Sequence, residues 1–291
     1  SDAPLTLTGG GTLVAAKTAF TGDYLAVGSG ICIAEDAAHI AYGAFAAGHS
    51  APLAPSPVQD DYVALYKHGW NLGYAFTFGW TGQGGTDWTA AESWDVGFAP
   101  SAVTSRVVVP EVASGAYPTV PAGGVTLGTL SVVKDAAAPG ASDASSALLT
   151  LSGGSVTLTA ASTPLTNYGT IIYSGTGRIQ SDSVPINDTE HDGTVVYRGG
   201  TEGDPLIVTD FGDGDDYAKL VIASSAVATA TGDIQAHGDV TVEAGGTLTA
   251  RKSLTVTGAL TANGALTAPD GTVSVGGDFL VDEVVNAPSA C

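Results

Sequence analysis

The chain has 291 residues and a net charge of −20, from 29 Asp and Glu residues against 9 Lys and Arg residues. Only 13 % of its residues are charged, whereas about a quarter are charged in an ordinary globular enzyme. An acidic surface with few arginines disfavours nucleic acid as a partner, and it disfavours anionic membrane surfaces for the same reason. No run of 18 apolar residues occurs, so we expect no membrane insertion.

The chain opens with Ser-Asp-Ala-Pro, which resembles the segment left after a signal peptide has been removed. We therefore expect a secreted protein, located outside the cytoplasm or on the cell surface. A charge-poor, acidic composition with 44 % hydrophobic residues is typical of extensive buried β-structure whose outside is covered by Ser and Thr.

Residues 1–78 predict an irregular, β-rich region with a capping or assembly role. LTLTGGGTLVA (5–15) and YLAVGSGICIA (24–34) combine apolar alternation with Gly-rich centres, which predicts two tight hairpins. DAAHIAYGAFAAG (36–48) is predicted to form one short helix. The Gly-rich segment 5–15 is also a candidate for pairing with the open sheet edge of a neighbouring molecule.

The four tryptophans, Trp70, Trp80, Trp88 and Trp94, precede a long repetitive region. The last three are 8 and 6 residues apart, a step close to that of the later repeats. The open end of a repetitive β-structure needs a cover, and large flat side chains provide one. We predict that residues 79–124 form a Trp-rich cap and first coil. The alternative is a platform on which sugar rings stack.

The same stretch resembles the opening segment of bacterial secreted β-solenoid proteins of the adhesin and autotransporter-passenger type. The matching pattern is W-T-G, two further tryptophans and a V-V-V-P strand, carried by Trp80, Gly82, Trp88, Ala91, Trp94, Gly97, Pro100 and Val107 to Pro110. Ser93 stands where that pattern commonly has Asn. The resemblance covers about 30 residues and implies a surface location with a structural or adhesive role.

Residues 125–291 contain short apolar pairs separated by Gly, Asn, Asp and Ala. Successive apolar anchors lie 8, 6, 6, 6, 7 and 6 residues apart at Val240, Leu248, Leu254, Leu260, Leu266, Val273 and Phe279. This spacing lacks the i, i+3, i+4 pattern of a helix and favours strands of three or four residues. Such strands become stable when coils stack on one another, so we predict an all-β fold, a parallel β-helix.

Two details qualify the repeat. The polar stretch 181–217 interrupts the rhythm and is predicted to bulge from the coils as a loop or hairpin. Asn167 and Gly169 stand where a turn residue with positive φ would be useful.

A candidate metal site lies in DFGDGDD, where Asp210, Asp213, Asp215 and Asp216 alternate with glycines. Ca²⁺ prefers several oxygen ligands on a flexible backbone, which this spacing supplies. The stretch also resembles the aspartate-glycine calcium turns of secreted repeat proteins, although only one copy occurs. The alternative is a solvated acidic turn, so Ca²⁺ is the one candidate cofactor.

The two cysteines, Cys32 and Cys291, are too few for a disulfide framework. They leave three alternatives, namely a bridge within the chain, a bridge between subunits and two free thiols. The sequence contains no nucleophile elbow, zinc-ligand spacing or phosphate loop. We therefore expect no enzymatic activity.

These observations favour an extracellular structural protein that binds copies of itself head to tail and builds a surface filament, sheath or layer. The alternative is a monomeric cell-surface adhesin or glycan-binding module. In that case the tryptophans or the stretch 181–217 would contact surface glycans.

Overall fold

The computed structural model describes the strands within 5–42, and residues 77–95, 99–100, 105–135, 144–160, 163–181, 192–208, 217–282 and 285–286. The chain divides into two compact units, Ser1–Phe76 and Thr77–Cys291. This division falls close to the predicted boundary at residue 78. In the described ranges, no helix combines the length and the apolar composition that crossing a membrane requires.

The first unit contains short strands that pair mainly in parallel. They are β1 (Leu5–Leu7), β2 (Gly11–Val14), β3 (Leu25–Val27), β4 (Ile31–Ala34) and β5 (Ile40–Tyr42). β1 pairs in parallel with β3, β2 pairs in parallel with β4, and β5 lies antiparallel to β4.

This pairing corrects two expectations. The predicted hairpins at 5–15 and 24–34 are wrong, because each strand takes its partner from the other segment. The predicted helix at 36–48 is also wrong over Ile40–Tyr42, which is a strand. Isoleucine and tyrosine on either side of one alanine favour extended backbone when a partner strand is available.

The second unit is built from strands of two to four residues and one 3₁₀ turn, Ala91–Ser93. In chain order the strands are β6 (Thr77–Gly79), β7 (Arg106–Val109), β8 (Thr119–Val120), β9 (Val125–Leu127), β10 (Thr129–Val132), β11 (Leu148–Leu151), β12 (Val156–Leu158), β13 (Leu165–Asn167), β14 (Thr170–Tyr173), β15 (Ile179–Ser181), β16 (Thr194–Tyr197), β17 (Leu206–Val208), β18 (Lys219–Ile222), β19 (Val227–Ala230), β20 (Ile234–Ala236), β21 (Val240–Val242), β22 (Thr247–Ala250), β23 (Leu254–Val256), β24 (Leu260–Ala262), β25 (Ala265–Thr267), β26 (Val273–Val275), β27 (Phe279–Val281) and β28 (Val285–Asn286).

These strands stack into three sets of parallel sheets, one strand from each coil. The longest sheet has eight strands in the order β8-β11-β14-β16-β18-β21-β24-β27. The strands that follow them form the sheets β9-β12-β15 and β17-β19-β22-β25-β28, and a third set comprises β6-β7-β10-β13 and β20-β23-β26. Each parallel pair joins successive coils, so the predicted parallel β-solenoid is confirmed.

The core is a set of apolar columns that run through the stack. Leu220, Val240 and Leu260 occupy the same register position on successive coils, and all are buried. Residues between the column positions point outward, as Thr241 does between Val240 and Val242. A three-residue strand therefore buries two side chains, and the stacking of coils makes so short a strand stable.

One predicted part of the solenoid needs correction. Strands of the stack already occur within 79–124, where the first coil was predicted, because β7 pairs in parallel with β6 and with β10. Within the predicted insert 181–217, Thr194–Tyr197 and Leu206–Val208 are regular strands of the stack. Their interpretation as part of a loop or hairpin that bulges from the coils was wrong, because the polar composition of 181–217 concealed two short apolar strands.

Candidate functional site

The three tryptophans of the second unit form one buried aromatic cluster. Trp80, Trp88 and Trp94 are each 2 % exposed. The Trp94 ring lies at the centre, in edge-to-face contact with Trp80 at 5.0 Å, with Trp88 at 4.9 Å and with Phe78 at 6.2 Å between ring centroids. Such edge-to-face pairs stabilise a cluster beyond the apolar area that they bury.

Two of the three indole N–H groups have acceptors. The Trp80 Nε1 donates to the carbonyl oxygen of Ala116 at 2.8 Å, and the Trp94 Nε1 donates to that of Trp88 at 2.7 Å. The Trp88 Nε1 is buried and finds no hydrogen-bond partner among the residues that the structure describes. The cluster is therefore fixed in place by polar contacts at two of its three members.

The cluster lies on the first coil of the second unit. The backbone N–H of Trp80 donates to Val108, and that of Thr119 donates to Thr86. The aromatic segment thus hydrogen-bonds to the coil that follows it in the chain. A sugar-stacking platform needs an exposed ring face, and the burial of Trp80, Trp88 and Trp94 offers none. Trp70 lies outside the described residues.

The opposite end of the solenoid exposes apolar side chains. Phe279, Leu280 and Val281 of β27 are 48 %, 59 % and 43 % exposed. In register with Phe279 and Val281 are Leu260 and Ala262 of β24, both fully buried. The columns that form the core therefore continue to the last described strand of the sheet, and none of the residues that the structure describes covers them there.

The backbone edge at this end is open as well. β27 is the outermost strand of the eight-stranded sheet and β28 that of the neighbouring sheet. Within the described part of the chain, each pairs with a strand on one side only, β24 and β25 respectively. An open parallel edge presents N–H and C=O groups to any strand that approaches it.

Carboxylates tie successive coils together along the stack. The Asp233 and Asp239 side chains accept the backbone N–H groups of Ser253 and Ala259, one coil later, at 2.9 and 2.8 Å. The N–H donated by Ser253 is the main reason that the pKa of Asp233 lies below its ordinary value of 3.8. The Glu243 carboxylate accepts from Ser224 of the preceding coil at 2.8 Å. These three carboxylates are thus part of the coil-to-coil contacts.

A shallow polar groove lies on one corner of the early coils. It has a volume of about 340 Å³ and is lined by Gly123, Gly124, Thr126, Ser155 and Thr157 among others. Hydroxyl groups and glycine backbone atoms can exchange hydrogen bonds with a polar ligand such as a sugar. The groove contains no aromatic side chain.

The other predicted site residues are not brought together by the described structure. Asp210, Asp213, Asp215 and Asp216 lie outside the described residues, as does Cys291, and Cys32 lies in β4. Among the residues that the structure does describe, no group of three His, Cys, Asp or Glu side chains is placed to hold a metal ion.

Sequence reasoning pointed to this end of the coils through SVGGDFLVDEVV (274–285), but it did not identify which side chains are exposed there. A signal was nevertheless present, because Leu280 is in register with Thr261, which in turn is in register with Thr241. An apolar residue at an outward-facing position that carries threonine on earlier coils is a departure from the repeat. Comparison of the chain with protein-family models, with curated proteins and with solved structures finds no match.

Proposed function

We propose that this protein is an extracellular structural protein whose copies join end to end into a surface filament, sheath or layer. The observation that carries the proposal is the bare apolar end at Phe279–Val281. The equivalent column positions one coil earlier are fully buried. Exposing them costs free energy, which a stacked neighbour would recover by covering them.

The geometry of this end supports an open polymer. Its strands offer the edge of a sheet in which the described strands are all parallel, and a strand that runs in the same direction continues that sheet unchanged. A neighbour that adds such a strand repeats the same translation at each step, so the contact is head to tail. Head-to-tail contacts that do not close into a ring build filaments.

The outward surface supports a structural role. Threonines occupy outward positions on consecutive coils, and the Thr267 hydroxyl donates to that of Thr249 at 3.0 Å. With only 13 % charged residues, such a surface resembles a repetitive covering more than a binding cleft. It supports side-by-side contacts in a sheath or layer.

The test measures the state of association of the full chain by light scattering over a concentration series and by negative-stain electron microscopy. The blocking variant combines Phe279→Asp with Val281→Asp, which places charges on the two exposed column positions. The matched control is Leu280→Thr, on the same strand and more exposed, but facing outward between the columns.

We expect wild type and Leu280→Thr to form elongated assemblies and the double aspartate variant to remain monomeric with an unchanged circular dichroism spectrum. A wild-type chain that stays a monodisperse monomer at high concentration would overturn the proposal. Equal assembly by the double aspartate variant would show that this end is not the joint.

The polar groove favours a second candidate function, that of a monomeric adhesin or glycan-binding module. Gly153 lines the groove, and a side chain there would meet open space. Gly153→Arg therefore fills the groove without disturbing the coil. Gly203→Arg is the control, because Gly203 also faces open space and does not line the groove. Glycan-array binding that Gly153→Arg abolishes and Gly203→Arg retains would establish this function.

A further inference from the structure

We infer that β1 and β2 of one copy form the coil that covers the C-terminal end of the next copy. The inference rests on the proposed end-to-end assembly and names the segment of the chain that completes the joint. The joint would continue, across a subunit boundary, the coil-to-coil interface that runs through the solenoid.

The first support is a shared coil length. Coil lengths vary along the solenoid, but in the coils between β18 and β24 Val240 pairs with Leu260 and Val227 with Thr247, 20 positions apart. In the first unit, Leu5 pairs with Leu25 and Gly11 with Ile31, again in parallel and again 20 positions apart. The backbone of the first unit therefore repeats with the spacing of the coils between β18 and β24.

The second support is the sequence of that coil. LTLTGGGTLVA (5–15) aligns without gaps to VTVEAGGTLTA (240–250) and shares with it the second-position Thr, the run Gly-Gly-Thr-Leu and the final Ala. The segment 240–250 spans β21 and β22, which belong to the eight-stranded and the five-stranded sheet. By this alignment β1 corresponds to a strand of the eight-stranded sheet, and β2 overlaps the position of a strand of the five-stranded sheet.

The third support is that the two open edges have complementary polarity. β1 and β2 are the outermost strands of their sheets, and each pairs on one side with a strand later in the chain. β27 and β28 are outermost on the opposite side, each pairing with an earlier strand. The early edge of one copy can therefore extend the late edge of another in the parallel sense.

The alignment fixes the register of the joint. Val240 pairs with Leu260, and Leu260 pairs with Phe279, so the equivalent residue Leu5 pairs with Phe279. Thr6 then pairs with Leu280, and Leu7 with Val281. Pro4 directly precedes the incoming strand β1 in the sequence. A proline at this position is compatible with stacking, since Pro164 directly precedes β13 and its carbonyl oxygen accepts the N–H of Leu130.

Disulfide trapping tests this register in the full chain. One preparation carries Thr6→Cys and another carries Leu280→Cys, both with Cys32→Ser and Cys291→Ser. Residues directly opposite each other on paired strands lie within the Cα separation that a disulfide spans. Thr8→Cys replaces Thr6→Cys in the control, because it lies two positions along the chain and out of register.

Mixing and mild oxidation should give a reducible heterodimer for the Thr6→Cys and Leu280→Cys pair, and that band should be lost with Thr8→Cys. Wild-type assembly without this heterodimer would overturn the inference while leaving end-to-end assembly intact. A monomeric wild type would overturn both. Equal trapping by Thr8→Cys would show contact between these segments without the inferred register.

Discussion

The indole N–H of Trp94 donates to the carbonyl oxygen of Trp88 at 2.7 Å, whereas the equally buried indole N–H of Trp88 meets no acceptor in the described part of the chain. The two rings touch edge to face and have the same exposure. They differ in polar satisfaction and in aromatic contacts, since the Trp94 ring also touches those of Trp80 and Phe78, and both differences make Trp94 the more costly of the two to replace.

We predict that Trp94→Phe destabilises the protein by about 1 kcal/mol more than Trp88→Phe. Both changes remove similar apolar area, but the first also leaves the Trp88 carbonyl oxygen without this donor. The second removes an N–H group that was buried without compensation. Urea unfolding monitored by circular dichroism measures the difference, and a larger loss for Trp88→Phe would contradict the prediction.

Gly153 and Gly154, which are adjacent at a coil corner, allow a second comparison between two variants. A Cβ atom on Gly154 would overlap the carbonyl oxygen of Pro121 in the preceding coil, whereas a Cβ atom on Gly153 would meet nothing. We predict that Gly154→Ala destabilises the protein by about 1–3 kcal/mol, since the coils must separate to admit the methyl group. Gly153→Ala should stay within about 0.5 kcal/mol of wild type. Thermal melting of both variants checks this, and equal losses would refute it.

Sequence reasoning reached the fold because a stack of coils repeats one simple rule. Steps of six to eight residues between apolar anchors are incompatible with a helical face, and they recur along the second unit. The same local pattern is ambiguous about the partner of each strand. In 5–15, two apolar segments around glycines fit a hairpin as well as a coil corner. The partner lies 20 residues away, and no local signal marks it.

Corner segments explain most of the remaining errors. A solenoid tolerates corners of different length and polarity, because only the strands must stack. The polar stretch 181–217 therefore concealed β16 and β17. Asn167, expected in a turn with positive φ, is instead buried in β13, where its side chain accepts the N–H of Gly169 at 3.1 Å. The Asn167 side chain thus gives the N–H of Gly169, just after the strand, its acceptor. Composition alone does not reveal this contact.

The candidate site could be predicted only in part. The spacing of Trp80, Trp88 and Trp94 indicated a cap-like cluster, but which indole N–H finds an acceptor depends on backbone positions. The exposed end depends on a count of coils that the sequence does not supply. The departure at Leu280 from the outward threonines is a second signal, beside the apolar stretch at 279–281 itself.

Two buried tyrosines from different coils provide a third prediction. The Tyr197 and Tyr217 hydroxyl oxygens lie 3.0 Å apart, and the Tyr197 ring stacks on that of Tyr173 at 5.0 Å. We predict a coupling free energy of about 1 kcal/mol between Tyr197→Phe and Tyr217→Phe in a double-mutant cycle. Denaturant unfolding of the two single variants and the double variant provides the cycle. Strictly additive losses would show that this contact contributes nothing.

The last prediction concerns pH and the carboxylates that join coils. The backbone N–H of Ser253, and then its hydroxyl, hold the pKa of Asp233 below its ordinary value of 3.8. A carboxyl whose pKa is lower in the folded chain contributes stability above the unfolded pKa, and loses that contribution as pH falls through the folded value. The stabilisation by Asp233 is therefore complete near neutral pH and declines in the acid range below 3.8.

Asp233→Asn isolates this contribution, because every other carboxylate titrates alike in both proteins. We expect the stability difference between wild type and Asp233→Asn to be largest near neutral pH and to shrink below the ordinary pKa of 3.8. Asp270→Asn is the control, since the described part of the chain supplies its exposed carboxylate with no hydrogen-bond donor. Urea midpoints measured from about pH 7 to about pH 3 decide the question. A difference that stays constant over this range would mean that the Asp233 carboxylate does not hold the coils together as an ion.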